Sequence, residues 1–142
     1  MKLVVIESPY AGDIDLNLRY LRACMKDCLM REEAPFASHA LYTQPGVLDD
    51  NIMEERLLGI GAGFAWGDRA DYVVFYVDLG ESKGMEKARD YWHRQGKKIY
   101  IRKLGDWVKP PLYVAYCPEC TRGVTQSEKD SNLDRCPGCG IS

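Results

Sequence analysis

In the stretch "VDLGESKGMEKARDYW", residues 77–92, a small polar glycine loop gives way to a helix, and a glutamate stands at the junction. A carboxylate in the first turn of a helix sits at the positive end of the helix dipole. An ionised carboxylate within reach of a substrate carbon is a nucleophile. Glu86 therefore has two readings: a catalytic carboxylate, or a charge that stabilises its own helix. The tail carries a second chemistry. Cys117-x2-Cys120 and Cys136-x2-Cys139, fifteen residues apart, give four thiolates that can surround one ion tetrahedrally. This is zinc-ribbon spacing. With every position filled by protein the ion is structural, Zn2+ ahead of iron.

The elements that position these groups follow from periodicity. "KLVVIE" (2–7) reads as a strand leaving through the loop "SPYAGD". Residues 14–31 read as an amphipathic helix capped by Asp13, with Ile14, Leu18, Leu21, Met25, Cys28 and Leu29 at helical spacing. Cys24 and Cys28, one turn apart, read as packing. "APFASHALY" (34–42) is a second strand and "TQPGVLDDN" a loop. A second helix spans 51–68, capped by Asp50 or Asn51 with Glu54 reaching back, and has Met53, Leu57, Ile60 and Phe64 on its core face. Its glycines, "GIGAG", imply close packing. "DYVVFYV" (71–77) is a strand buried on both faces, followed by a helix (85–95) and a strand (97–103).

Strands alternating with helices imply an α/β fold: a Rossmann-like parallel sheet flanked by helices, with a small C-terminal zinc ribbon. The expected organisation is an α/β domain over 1–105, a linker over 106–111 and the ribbon over 112–142. Ligands of such sheets bind outside the carboxyl ends of the strands. Three exit loops meet there and collect Ser8, Tyr10, Gly12, Asp13, His39, Asp49, Asp50, Asp78, Glu81, Ser82 and Glu86.

Composition bounds the partners. Lysine and arginine total 19 against 21 acidic residues, with 46% hydrophobic residues, so nothing draws the whole chain to nucleic acid. The ribbon region has three basic and four acidic side chains, and four thiolates on Zn2+ add a further net negative charge, the wrong sign for phosphate. No apolar run approaches the roughly 18 residues of a membrane span. A cytoplasmic protein is expected, with further copies of itself (a homo-oligomer) among its partners and neither membrane nor nucleic acid.

"VIESPYAGDIDLNLRYLRACMKDCL", "APFASHALYTQPGVLDDNIMEERLLGIGAGFAW" and "VVFYVDLGESKGM" resemble a phage and bacterial family of the nucleoside 2-deoxyribosyltransferase-like superfamily, over roughly residues 2–104. The resemblance implies a nucleoside or nucleotide ligand and chemistry at an N-glycosidic bond, by hydrolysis or deoxyribosyl transfer. It implies that Gly84, Met85 and Glu86 match the transferase motif, with Glu86 as nucleophile. Asp78 or Glu81 would then assist the departing base, and Ser8, Tyr10, Gly12, His39 and Ser82 would hold the ligand. Aligned without a gap through Gly96, the glutamate position falls on Ala88. An aspartate common on the second helix of the enzymes corresponds to Gly63. The competing expectation is a catalytically silent pocket that binds or sequesters a nucleotide-like ligand.

Overall fold

The computed structural model describes residues 1–105 and, beyond them, the backbone of two short strands. The chain divides into two units, Met1–Trp107 and Val108–Ser142. The first is a parallel α/β sheet. Strands β1 (Lys2–Glu7), β2 (Glu33–Phe36), β3 (Tyr72–Tyr76) and β4 (Ile99–Arg102) lie in the order β2-β1-β3-β4, every neighbouring pair parallel. The central strands are the ones whose apolar residues run without alternation: Val4, Val5 and Ile6 in β1, and Val73 to Tyr76 in β3, are all buried. Such runs need cover on both faces. Pro35 lies in β2, an edge strand, where a missing N–H costs least.

The cover divides cleanly. Helix α1 (Ile14–Met30) buries Tyr20, Leu21, Cys24 and Cys28 against Val4, Ile6, Val74 and Tyr76. Helix α4 (Lys83–Arg94) lays Met85, Ala88 and Trp92 on the other face, with Val5, Val73 and Phe75. Helix α3 (Met53–Gly67) joins that second layer through Phe64. Asp13 caps α1 as its sequence implies, accepting from the Leu16 N–H. Ser82 caps α4, accepting from the Met85 N–H.

Three local expectations are corrected. The second strand ends at Phe36, not residue 42; Ser38–Leu41 forms the short helix α2. Tertiary packing decides this, since Ser38 sits tightly against Gly63 of α3 and His39 bonds to Ser8. Neither Asp50 nor Asn51 caps α3. Its cap is Ile52, without a side-chain bond, and the Asp49 carboxylate instead accepts from the Asn51 N–H. Finally, Met53, Leu57 and Ile60 are exposed at 62%, 58% and 42%, and α3 turns Gly63 and Gly67 inward.

A polar clasp spans the α1 face. Arg102, from edge strand β4, donates to both carboxylate oxygens of Glu33 in edge strand β2, each at 2.7 Å. Glu33 is 4% exposed. The guanidinium beside it is the main reason its carboxyl stays below the usual range, and the bidentate geometry offsets the cost of burying the charge. Tyr72 also donates to Glu33, and Arg102 to the Tyr76 oxygen at 3.3 Å.

In the second unit, β5 (Tyr113–Tyr116) pairs antiparallel with β6 (Gly123–Thr125). Cys117, Cys120, Cys136 and Cys139, and the expected 106–111 linker, lie outside the described residues.

Candidate functional site at the strand exits

The crossovers part between β1 and β3. From β1 the chain passes through α1 to β2 on one side, and from β3 through α4 to β4 on the other, with the two helices on opposite faces. This switch point is where an open parallel sheet leaves a crevice beyond its carboxyl ends.

At the β1 exit, Ser8 is buried and its Oγ lies 2.8 Å from His39 Nε2. Burial holds the His39 imidazole neutral, pushing its pKa down to about 4. With the ring hydrogen on Nδ1, Nε2 accepts the Ser8 hydroxyl proton; in the other tautomer the ring donates to Ser8. Tyr10 packs edge-on to this ring at 6.4 Å. Tyr10 and His39 border a cleft of about 70 Å³ whose walls include Tyr42, Thr43, Asp50, Glu55 and Arg56. That volume suits several waters or one polar group of a ligand, not a whole nucleoside. Gly12 has φ +98° with open space around it, so the backbone alone calls for glycine.

Glu7, the last residue of β1, is a group that strand periodicity passed over. It shares the Val5 face, and its Oε1 accepts from Trp92 Nε1 of α4 at 3.2 Å. Burial raises its carboxyl to about 7, the Trp92 bond opposing this only in part. A charged residue closing an apolar strand at a parallel sheet's carboxyl edge was the available signal. Its burial was not readable locally.

At the β3 exit the nominated residues play different parts. Asp78 is spent on structure: its carboxylate accepts from the Tyr20 hydroxyl and, at 3.0 Å, from the Leu104 N–H. Glu81 pairs through Oε2 with Arg89 at 3.0 Å, while its Oε1 is buried and meets no donor among the described residues. Ser82 is occupied as the α4 cap, and Met85 is core, 2% exposed. Gly84 has no atom nearer a would-be side chain than Ser82 Oγ at 3.8 Å. Glu86 is exposed, whereas Ala88 is buried. Ser8, Tyr10 and His39 thus form one cluster, and Ser82, Gly84, Met85 and Glu86 another. Glu7 is adjacent to Ser8 in sequence and bonded to Trp92 of α4.

Residues 2–102 match the model of a family described as a domain of unknown function, DUF7768. The chain belongs to this family. No curated protein and no solved structure matches it. The DUF7768 match runs from the first residue of β1 to the last of β4, so it coincides with the parallel sheet and both exit clusters. Among the described residues of the DUF7768 domain, no three histidine, cysteine or acidic side chains could hold a metal, and no helix is long and apolar enough to cross a membrane. Chemically, the domain offers a carboxyl that exchanges its proton near neutrality, a neutral histidine bonded to a hydroxyl, and a buried carboxylate oxygen free to accept a hydrogen bond.

Proposed function

We propose that the protein takes a nucleoside or nucleotide at the carboxyl edge of its sheet and acts on the N-glycosidic bond through Glu86. The observation that carries this reading is the β2-β1-β3-β4 order, which opens a switch point between the two strands whose exits supply the candidate residues. The cleft chemistry agrees with it. Asp50 and Glu55 suit sugar hydroxyls as acceptors, and Arg56 suits a phosphate or a further hydroxyl. In the reaction, a Glu86 oxygen bonds to the anomeric carbon as the bond to the base breaks. The base leaves with the electron pair and takes up a proton, and water or a second base then displaces the glutamate. Because Asp78 has committed its oxygens to Tyr20 and Leu104, Glu7, whose carboxyl is raised to about 7, is the better suited proton donor.

The second reading, binding without turnover, is favoured by the exposure of Glu86 and by Ala88 taking the inward position on α4. One experiment separates the two: incubate the purified chain with nucleosides and their 5′-monophosphates and assay for free base. Base release that Glu86→Gln abolishes supports the enzyme. Saturable binding with no base released supports the silent pocket, and the absence of both rejects the nucleoside reading.

A further inference from the structure

The cleft beside His39 carries the wrong charge for an anion. Its walls set Asp50 and Glu55 against Arg56, and Arg56 Nε already stands 4.0 Å from an Asp50 oxygen. Arg56 is the one cation among the described cleft walls. His39 adds no positive charge, because its enclosure pushes its pKa down to about 4 and keeps the ring neutral.

A helix begins at this cleft. Helix α3 starts at Met53, and Glu55, Arg56 and Gly59 are wall residues. A bare helix N-terminus attracts phosphate through its free N–H groups and its dipole. Here that attraction is cancelled. Glu54 and Glu55 occupy the first turn, and Asp49 and Asp50 precede it. Residues 49–56 thus hold four acidic side chains and one arginine. What the walls do offer is hydrogen bonding: carboxylate oxygens accept from hydroxyls, and a neutral imidazole can donate or accept.

On the reading that a nucleoside is the ligand, we propose that this cleft seats the hydroxyl edge of an unphosphorylated nucleoside's sugar, and that the acidic start of α3 turns away nucleoside 5′-monophosphates. A pentose is smaller than the Debye length of about 8 Å at physiological salt. A phosphate on any hydroxyl of a sugar seated here therefore lies within the unscreened field of these carboxylates. Repulsion of this kind rejects a competitor without adding a contact to the preferred ligand.

The test is calorimetric titration of the full chain with the common 2′-deoxynucleosides and with their 5′-monophosphates, at about 50 and 500 mM salt. At the lower salt a nucleoside is expected to bind about tenfold or more tightly than its monophosphate, and the gap should shrink at the higher salt. Asp50→Asn and Glu54→Gln remove charge at half-buried and exposed positions. Each should raise monophosphate affinity about threefold while far-ultraviolet circular dichroism stays unchanged. A monophosphate that binds as tightly as its nucleoside overturns the selectivity and leaves the nucleoside reading standing. A gap that neither salt nor these variants alter does the same. Binding of neither class rejects the nucleoside reading itself, and the selectivity with it.

Discussion

Adding one methyl group at Gly67 probes how tightly α3 and α4 interlock. The new carbon would stand 2.1 Å from Trp92 Cη2 and 2.6 Å from Cζ2, against a comfortable separation of about 3.5–4.0 Å. The indole cannot simply swing away. It is 0% exposed, stacks edge-on to Phe64 at 5.3 Å, and donates to Glu7 at 3.2 Å. Overpacking of this kind costs about 1–3 kcal/mol, and weakening the Trp92–Glu7 bond adds about 1 kcal/mol. Replacing glycine by alanine in a helix returns about 1 kcal/mol. Gly67→Ala should therefore destabilise the domain by about 2 kcal/mol, lowering Tm by about 8 °C for roughly 100 residues. Urea titration and thermal melts followed by circular dichroism measure this directly. Trp92→Leu alone should cost about 3 kcal/mol through the cavity it leaves. In the double variant the methyl has room, so the combined loss should fall short of the sum by about 1 kcal/mol or more. Gly67→Ala as stable as wild type, or a strictly additive double variant, would refute the interlock.

Two half-buried groups make opposite demands on pH. Glu7 ionises at about 7 in the folded chain against an ordinary 4.5, so stability falls as pH rises from 4.5 to 7, by at most about 3 kcal/mol. His39 stays neutral down to about 4 against an ordinary 6.5, so stability falls as pH drops from 6.5 to 4, by a similar amount. The two slopes cancel between about pH 4.5 and 6.5. Glu7→Gln should raise stability at pH 8 and leave a curve that rises with pH across that window, and His39→Gln one that falls; denaturant titrations that stay flat for both would reject the assignment. The four tail cysteines predict one tightly held zinc per chain, measurable by elemental analysis, with Cys117→Ser or Cys136→Ser lowering the content; metal-free protein from a chelator-free preparation would remove the ribbon reading.

Much of the sheet was legible because both-face burial writes itself into composition: β1 and β3 could hardly be anything else. The start of α1 was legible through Asp13, whose capping is local; the start of α4 was not, since Ser82 was nominated for a ligand and instead caps a helix that begins at Lys83. What the sequence hid depends on distant partners. The pattern 34–42 reads as extended until Gly63 offers Ser38 a berth and His39 finds Ser8, 31 positions away. The face of α3 was misassigned because periodicity assumes that large apolar residues point inward, whereas here the tight fit under Ser38 and Trp92 leaves room only for glycine. Ser8, Tyr10 and His39 were nominated from their loops, but their meeting beside one cleft was visible only in the fold. Glu7 escaped notice because a strand's last residue carries no local sign of enclosure.

The Glu33–Arg102 clasp bears on how the chain is made. Its two halves are 69 positions apart, and the arginine is the last residue of the final strand of the sheet. A nascent chain that has emerged only as far as β3 must hold Glu33 against a hydrophobic face with no cation to meet it, a situation that costs several kcal/mol. Partly synthesised sheets are therefore penalised until β4 arrives. The pair couples the start and the close of the domain into one cooperative event on the ribosome, and a chain cut short before Arg102 should be a substrate for proteases, not a smaller stable protein.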